Sequence, residues 1–436
     1  MTARALMIAA PTSGAGKTVI TAGLLRAFRR RGLTVRAAKS GPDYIDPAFH
    51  ALASGADCVN LDSWAMPPTR LDAILADAAE DADLVVVEAA MGLFDGLPGP
   101  ADARGAAADL AARFALPVVL ILDATGMTQS AAAVARGFAM HDPRVRIAGV
   151  VLNRVATERH RAYIADAVAA AGVPVLGALG RGEPFVLPSR HLGLVQAGEH
   201  GDLDARLDRI AEAVATGIDL DALLAAAVPL AGLETGIAPP LPAPGARIAL
   251  ARDEAFGFVY PHVLAGWRAA GATIVPFSPL ADEPPPQDCD CCWLPGGYPE
   301  LHADRIAASG RFLAGLRAFA TTRPVHGECG GYMVLGTALE DADGRIHAMA
   351  GLLSHATSFA RRRLTLGYRE ADIAPGVAAL PSATLRGHEF HYATVTDAGS
   401  DAPLATLRDG QGRDLGPGGG RRGLVSGSFF HAISSG

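Results

Sequence analysis

Long apolar segments are missing from this sequence of 436 residues. No run of 18 residues is both apolar and free of charge, so we expect neither a membrane span nor a membrane partner. No secretory signal pattern opens the chain. Cysteine is scarce, and five residues are an odd number for a disulfide framework. We therefore predict free thiols and a cytoplasmic location.

Excess positive charge is absent as well. The net charge is -7, and charged residues make up 19% of the chain. Because binding to nucleic acid needs clustered Lys and Arg, we predict no nucleic-acid partner. Two short basic clusters remain, at residues 361–363 and 421–422, and they suit either a solvated surface or contact with an acidic substrate.

Three of the cysteines, Cys289, Cys291 and Cys292, lie close together in the sequence. Their C-x-C-C spacing has no following Cys/His pair at the distance typical of zinc ligands. A buried strand, in which Cys behaves as a small hydrophobic residue, is the better interpretation than a metal site.

Apolar residues are abundant instead, at half of the chain, and 436 residues exceed one ordinary core. In the first half, short Val/Ile/Leu runs alternate with Ala-rich helical patterns, as in a parallel sheet buried on both faces. A Pro-rich stretch at residues 236–246 lacks periodicity and predicts a linker. We therefore predict an α/β protein with a doubly wound parallel-sheet domain over residues 1–235. A second α/β domain with a strand-rich tail is predicted over residues 247–436.

The predicted elements follow from the apolar runs. In the first domain they are strands at 5–10, 34–38, 84–89, 118–123, 147–153 and 175–179, with helices at 17–31 and 68–81. In the second domain they are strands at 247–251, 272–277, 291–294, 324–326, 364–373, 385–395 and 423–431.

The first motif with chemical meaning is the segment PTSGAGKT at residues 11–18. It follows a predicted strand and opens a predicted helix, which is the context of a phosphate-binding loop, although Pro11 stands where a glycine is usual. Amides at a helix N-terminus can face phosphate oxygens. Lys17 is expected to reach the β- and γ-phosphates and Thr18 to bind Mg²⁺. A glycine-rich turn without nucleotide is the alternative. The predicted ATP-binding residues of the loop are Ser13, Gly14, Ala15, Gly16, Lys17 and Thr18.

Two further segments, at residues 39–47 and 88–96, follow other predicted strands. Ligands of open parallel sheets bind beyond the carboxyl ends of the strands, so we expect both segments to meet the phosphate loop. Asp46 and Glu88 are the predicted Mg²⁺ ligands beside the threonine hydroxyl, because hard cations prefer carboxylate oxygens. Asn153, at the end of another strand, suits either contact with the nucleobase of ATP or a plain turn.

The second motif, at residues 324–333, predicts a strand, a tight turn and a helix. The G-x-C-x-G spacing around Cys329 parallels the nucleophile elbow of hydrolases. We expect the helix N-terminus to lower the pKa of Cys329, and the Gly330 amide to point at a developing oxyanion. Gly297, after a neighbouring strand, offers a second oxyanion-hole donor. A buried structural cysteine is the alternative.

A thiol nucleophile needs a base. The chain has 13 histidines. His431 is the preferred partner of Cys329 because it follows the last predicted strand, and His388 and His391 are its rivals.

The second domain resembles the class I glutamine amidotransferases. The resemblance rests on residues 294–301, residues 327–331 and the late His431. It implies that Cys329 is the nucleophile and His431 its partner. Many members carry a Glu two residues after this histidine, whereas this chain has Ile433 there, so a Cys–His dyad is one possibility. The cobyrinic and cobyric acid amidases look like a subgroup with the same loss.

The whole chain resembles the cobyrinic and hydrogenobyrinic acid a,c-diamide synthases, through residues 39–47, 91–96 and 187–194. Its first domain resembles dethiobiotin synthetase. The resemblance implies a ligase of cobalamin biosynthesis that amidates the a and c acetate carboxylates of a corrin ring. ATP and Mg²⁺ would make an acyl phosphate, and glutamine would supply the ammonia. The implied partners are small molecules: ATP, glutamine and a corrinoid polycarboxylate. Asp43, Tyr44 and Asp95 are the expected substrate-positioning residues.

Three alternatives differ in what they predict. A cobyric acid synthase would amidate other corrin side chains. A partition-type ATPase would carry a lysine where Thr12 stands and would lack the second domain. An inert second domain would show no glutaminase activity. The sequence predicts no particular oligomeric state.

Overall fold

The chain forms two compact units in the computed structural model, divided between residues 237 and 238. The structure describes residues 2–182, 185, 189–190, 193–194, 202–236, 239–381 and 383–435, without the side chains of 189, 190, 193 and 194. The division lies inside the Pro-rich segment. From Pro239 onward this segment packs on the second unit, where the Ser435 amide donates to the Pro240 carbonyl at 2.8 Å. Most of the family segment at 187–194 lies outside the described residues.

The first unit is built around an eight-stranded sheet in the order β3-β2-β4-β1-β5-β6-β7. These seven strands are parallel, and β10 pairs antiparallel with the start of β1. The strands are β1 Arg4–Ala9, β2 Val35–Ser40, β3 Cys58–Leu61, β4 Leu84–Glu88, β5 Val118–Asp123, β6 Ile147–Val155, β7 Val175–Gly180, β8 Ser189–Arg190, β9 Gly193–Leu194 and β10 Val228–Pro229. The helices are α1 Lys17–Arg30, α2 Ile45–Ser54, α3 Pro68–Ala79, α4 Ala107–Arg113, α5 Ser130–His141, α6 Glu158–Ala170, α7 Leu203–Gly217 and α8 Leu220–Ala226.

The apolar runs explain this sheet. Every residue of β4 is buried, because its Leu/Val run packs helices on both faces. All six predicted strands are present within two residues of their expected ends, and β3 was missed because its sequence CVNL is short and interrupted by Asn60. The carboxyl ends of β1, β2, β4 and β6 therefore share one edge of the sheet.

The second unit contains a six-stranded sheet in the order β12-β11-β13-β14-β24-β23, in which only β23 is antiparallel. An antiparallel sheet, β22-β21-β18-β19-β25, and a smaller sheet, β16-β15-β17-β20, complete it. The strands are β11 Arg247–Ala251, β12 Thr273–Phe277, β13 Cys291–Leu294, β14 Val325–Glu328, β15 Ala338–Glu340, β16 Ile346–Ala348, β17 Ala356–Ser358, β18 Thr365–Ile373, β19 Thr384–His391, β20 Thr394–Asp397, β21 Ala405–Asp409, β22 Asp414–Gly418, β23 Gly420–Arg422, β24 Val425–Ser428 and β25 His431–Ser435. The helices are α9 Pro261–Ala269, α10 Ala303–Ala308, α11 Gly310–Ala320 and α12 Gly330–Leu335, with 3-10 turns at Pro279–Ala281 and Pro299–Leu301.

Two predicted strands of the tail are wrong in extent. Residues 385–395 hold all but the first residue of β19 and the first two residues of β20, and residues 423–431 hold β24 and only the first residue of β25. Phe429 and Phe430 lie between β24 and β25 and are buried. The chain passes there from the parallel sheet to the antiparallel one, which places His431 opposite His388 of β19.

The predicted fold class, a parallel-sheet α/β unit followed by a second α/β unit, is confirmed. Across the ranges that the structure describes, no helix combines the length and the apolar character needed to cross a membrane.

Candidate active sites

The glycine-rich loop lies between β1 and α1. Gly14 and Gly16 have φ angles of +76° and +95°, in the left-handed region that favours glycine. A Cβ on Gly16 would lie 2.4 Å from the side-chain nitrogen of Asn153. That nitrogen donates to the carbonyl of the buried Ala15 at 2.8 Å. The end of β6 therefore holds the loop in shape.

Lys17 is the first residue of α1 and is buried. Its Nζ donates to the carbonyl oxygens of Thr12 at 3.2 Å and Met91 at 2.5 Å. Burial lowers the pKa of Lys17, and the negative charge of Glu88 opposes this shift. The Lys17 side chain thus joins the loop after β1 to the segment after β4.

Three carboxylate and hydroxyl groups converge beside this lysine. The Thr18 hydroxyl lies 3.0 Å from both Asp46 Oδ2 and Glu88 Oε1. Lys39 Nζ lies 2.7 Å from the same Asp46 oxygen and 2.8 Å from the same Glu88 oxygen. The other Glu88 oxygen is hydrogen-bonded to His50. The structure brings the three predicted metal ligands together around a buried ammonium group.

Burial and charge oppose each other in this cluster. Glu88 is 0% exposed, which by itself raises the pKa of its carboxyl, but the charges of Lys39 and His50 bring that pKa below its ordinary value. Burial by itself lowers the pKa of Lys39, but Asp46 and Glu88 raise it well above the ordinary value. Lys39 and Glu88 therefore stay ionised because each supplies the other's counter-charge.

Sequence reasoning gave no role to Lys39 or His50. The available signal for Lys39 was composition, because the chain has two lysines against 36 arginines and both lysines lie here. The signal for His50 was its spacing from Asp46, four residues along α2 and therefore on the same helix face.

The residues present fit a hard divalent cation. Within the described parts of the chain, no three His, Cys, Asp or Glu side chains form a metal-binding group. Two carboxylates and a hydroxyl are a partial set, of the kind that Mg²⁺ uses when phosphate oxygens and water complete its octahedron.

The three predicted substrate-positioning residues are placed differently. Asp43 accepts hydrogen bonds from the Ile45 amide at 2.8 Å and the Asp46 amide at 3.2 Å, and burial together with the charge of Asp46 raises its pKa to about 7. Tyr44 is half-buried and precedes α2. Asp95 is exposed and accepts a hydrogen bond from the Gly92 amide at 2.9 Å. Asp43 lies with the charged cluster, whereas Asp95 closes the loop that follows β4.

A cavity of about 380 Å³ adjoins the phosphate loop. Its lining includes Gly16, Thr125, Asn153, Arg154 and Arg181. Both ends of the Asn153 amide are bonded within the protein, since its oxygen accepts from the Arg154 amide at 2.9 Å. Asn153 forms part of the cavity wall and fixes the loop at the same time.

The candidate nucleophile of the second unit stands between β14 and α12. Cys329 has φ +45° and ψ −100°, a strained conformation for a residue with a side chain. Its amide donates to the Ser428 carbonyl at 2.7 Å. Gly331 is required for close packing, because a Cβ there would lie 2.0 Å from the Leu294 carbonyl. The predicted elbow is present in geometry as well as in sequence.

The two predicted oxyanion-hole residues flank this elbow. A Cβ on Gly330 would lie 3.0 Å from the Gly297 amide nitrogen. Gly297 in turn has no room for a side chain, since a Cβ there would lie 2.0 Å from the Ala255 carbonyl. Gly297 therefore lies against Gly330, the residue that follows Cys329.

The same turn contacts His431. A Cβ on Gly296 would lie 2.4 Å from His431 Cε1, so the glycine lets the imidazole approach the turn. His388 stacks on His431 with 5.0 Å between ring centroids, and its Nε2 is bonded to the Tyr260 hydroxyl at 2.8 Å. His391 Nδ1 lies 3.0 Å from the Ala393 carbonyl. His431 therefore lies against the turn after β13 that also carries Gly297, the neighbour of Gly330.

Burial makes this second site neutral at rest. Cys329 is 4% exposed, and desolvation together with Glu300 raises the pKa of its thiol far above the ordinary value. The expectation that the helix N-terminus lowers this pKa is wrong, because α12 has only six residues and desolvation exceeds its effect. Burial likewise lowers the pKa of His431 well below its ordinary value, with further lowering from His388 and His391.

Two family profiles match the chain. The CobQ/CobB/MinD/ParA nucleotide binding domain matches residues 6–194, and the CobB/CobQ-like glutamine amidotransferase domain matches residues 247–436. Together with the two sites, they define an ATP-dependent, glutamine-hydrolysing amidation ligase.

Full-length relatives narrow this class. Hydrogenobyrinate a,c-diamide synthases from Mesorhizobium japonicum, Agrobacterium fabrum and Rhodobacter capsulatus are 60%, 57% and 56% identical to this chain. The alignments cover 100%, 100% and 99% of this chain and 99%, 100% and 99% of the relatives. The chain belongs to the hydrogenobyrinate a,c-diamide synthase family.

Proposed function

We propose that this chain uses ATP and glutamine to convert the a and c acetate carboxylates of hydrogenobyrinate into amides. The observation that carries the proposal is the pairing of two sites in one chain. A phosphate loop with a buried carboxylate cluster lies in the first unit, and a strained cysteine beside a histidine lies in the second. The names of the full-length relatives supply the substrate.

The first site would activate the acceptor. A carboxylate is a poor electrophile, because its charge repels nucleophiles. Transfer of the γ-phosphoryl group of ATP to a carboxylate oxygen gives ADP and an acyl phosphate, whose phosphate is a good leaving group. Lys17 and the loop amides would position the phosphates and neutralise the charge of the transferred group.

The charged cluster would serve the same step. Thr18, Asp46 and Glu88 would hold Mg²⁺, whose positive charge neutralises phosphate oxygens when bound. Because the Lys39 ammonium bridges the same two carboxylates, it holds them in place. Asp43, Tyr44 and Asp95 would contact the acceptor at the rim of this cluster. The cavity beside Asn153 has the size for a nucleobase.

The second site would make ammonia. The Cys329 thiol gives its proton to His431 and attacks the side-chain amide carbon of glutamine, while the Gly297 and Gly330 amides stabilise the oxyanion. Collapse of the intermediate breaks the C–N bond, and the proton leaves with ammonia. Water then hydrolyses the thioester to glutamate and restores the thiol. The ammonia displaces phosphate from the acyl phosphate to give the amide.

The proposed organisation is an ATP-dependent domain over residues 1–235, a linker over 236–246 and a glutaminase domain over 247–436. The proposed partners are small molecules and the proposed location is the cytoplasm, where a reducing environment keeps the Cys329 thiol free.

The test uses the full chain with hydrogenobyrinate, ATP, Mg²⁺ and glutamine labelled with ¹⁵N at its side-chain amide. Mass spectrometry should find two labelled amides per ring, one on the a acetate and one on the c acetate. One ADP should form per amide. A parallel reaction with cobyrinate measures the preference between the metal-free and the cobalt-containing ring. Label in other side chains, or amidation without ATP, would overturn the proposal.

A further inference from the structure

The imidazole of His431 has a carboxylate near its Nδ1 atom. Glu328 Oε2 lies 3.9 Å from His431 Nδ1. In this chain Ile433 occupies the position two residues after the histidine, where many class I amidotransferases have a glutamate. Glu328 comes instead from the residue immediately before the nucleophile.

Glu328 is held in place by the strand that carries the histidine. It is the last residue of β14 and is 5% exposed. Its Oε1 accepts a hydrogen bond from the amide of Ala432, the residue after His431, at 3.0 Å. One carboxylate thus touches the backbone of β25 with one oxygen and faces the imidazole with the other. A bridge of this kind fixes the position of β25 against the elbow that carries Cys329.

We infer that Glu328 is the positioning residue of the glutaminase site. Its carboxylate orients the His431 ring through Nδ1 and stabilises the positive charge that forms when the ring accepts the thiol proton. The inference rests on the proposed glutaminase activity and adds a residue to it. Glu328, at the end of the strand before the nucleophile, would take the role of the glutamate that many class I amidotransferases carry where this chain has Ile433.

Proton positions follow from this arrangement. With Nδ1–H directed at Glu328, the lone pair of Nε2 would accept the Cys329 proton. The charged state is then a thiolate, an imidazolium and a carboxylate, and it returns to the resting state when the proton leaves with ammonia. Without an acceptor at Nδ1, the imidazole can place its proton on Nε2, and that tautomer cannot act as a base.

Other titratable groups surround Glu328 and His431. His388 and His391 face His431, and burial lowers the pKa of both imidazoles, which leaves them neutral. Burial raises the pKa of Glu328 to about 8, although the Ala432 amide and the Trp293 indole favour its ionised form. Ionisation of Glu328 therefore falls in the pH range of a glutaminase assay.

Glu300 and Glu389 face Cys329 and also raise the pKa of its thiol. Glu389 is paired with Arg369 at 2.7 Å. A pH profile must therefore be read as a comparison of matched variants of Glu328, in which these other groups stay the same.

The test compares Glu328→Gln with Glu328→Asp in the full chain. Glu370→Gln is the matched control, because Glu370 forms ion pairs with Arg386 and Arg408 on the antiparallel sheet. Glutamine-dependent ammonia release gives kcat and KM across pH. Glu328→Gln should lower kcat about 10²-fold with little change in KM, and the rise of kcat with pH that reports Glu328 should disappear. Glu328→Asp should recover part of kcat and keep the rise.

Amidation driven by ammonium distinguishes a failure of the positioning role of Glu328 from a failure of the proposed function. It should be unchanged in all three variants if the chain is folded and the first site works. A Glu328→Gln enzyme with the kcat and pH profile of the unmodified chain would overturn the positioning role. Loss of ammonium-driven amidation in the unmodified chain would instead overturn the proposed function.

A second measurement needs no change at Glu328. The ¹⁵N spectrum of Cys329→Ala, with the His431 signal identified by its loss in Cys329→Ala/His431→Gln, reports the tautomer. Above about pH 8, where Glu328 is ionised, the inference requires the proton on Nδ1, and a proton on Nε2 under those conditions would contradict it.

Discussion

The two sites of this chain are both deeply buried, but their electrostatics are opposite. In the first unit Lys39 and Glu88 remain charged, because each neutralises the other inside the protein. In the second unit burial raises the pKa of Cys329 and Glu328 and lowers that of His431, so the resting site is neutral. Burial alone therefore does not determine protonation, and the presence of a counter-charge does.

This difference matches the chemistry proposed for each site. ATP is charged in every state, so its site benefits from charges already in position. Glutamine presents a neutral amide, and charge develops in its site only while the thiol attacks. A neutral resting thiol and imidazole also avoid the cost of a permanent buried ion pair.

The largest expected effect is a loss of amidation that depends on which nitrogen source, glutamine or ammonium, is supplied. Cys329→Ala should lower glutamine-dependent amidation by at least about 10³-fold, because the nucleophile is lost, while ammonium-dependent amidation persists. The measurement is the rate of product formation with each nitrogen source. Cys292→Ala, which removes a buried thiol of β13, is the control for packing and should keep both activities. If ammonium does not rescue Cys329→Ala, the two sites do not divide the work as proposed.

The corresponding substitution in the first unit removes the lysine of the phosphate loop. Lys17→Ala should lower amidation from either nitrogen source about 10²- to 10³-fold, because a buried cation beside the phosphates is removed. Ammonia release from glutamine should remain measurable. Lys17→Arg keeps the charge but not the point geometry of an ammonium group, and we expect it to recover only part of the rate. Full amidation by Lys17→Ala would refute the role of the phosphate loop.

A smaller effect is expected at the wall of the nucleotide cavity. Asn153→Ala removes the hydrogen bond to the Ala15 carbonyl and leaves a buried acceptor unpaired. An unpaired buried acceptor costs roughly 1–3 kcal/mol, so ATP binding should weaken about 5- to 150-fold, as measured by calorimetry. Glutaminase activity should not change, and Gln129→Ala, an exposed amide, should bind ATP normally. Unchanged ATP affinity in Asn153→Ala would show that the loop keeps its shape without β6.

Sequence patterns predicted the parts of each site that lie within one segment. The glycine-rich loop and the elbow were readable because glycine, Lys17 and Cys329 occur there at fixed spacing beside apolar runs. Six of the eight strands of the first sheet were readable for a similar reason, since continuous Val/Ile/Leu runs mark parallel strands buried on both faces.

The approach of Asp46 and Glu88 to Thr18 was predicted, because all three lie at or beyond the carboxyl ends of parallel strands, but other contacts between distant segments were not. Lys39 and His50 join Glu88 across the sheet, and Glu328 faces His431 across about a hundred residues of sequence. The predicted direction of the shift in the Cys329 pKa was wrong for a related reason. Its helix was visible in the sequence, whereas the desolvation around the thiol depends on tertiary packing.

The smallest expected effect concerns stability and tests whether the second site is neutral at rest. The pKa of Glu328 is raised to about 8 from an ordinary value of 4.5, so the folded state binds its proton more tightly than the unfolded state does. The stability that this provides is complete below about pH 4.5 and is lost as the pH rises through about 8. Glu328→Gln cannot ionise, so its melting temperature relative to the unmodified chain should rise between pH 5 and pH 9, by about 2–4 °C for each kcal/mol. Thermal unfolding at a series of pH values measures this difference, with Glu370→Gln, a half-buried carboxylate outside the site, as the control. A difference that stays constant across this range would mean that Glu328 is already ionised in the folded protein, and the contrast between a charged first site and a neutral second site would then fail at this residue.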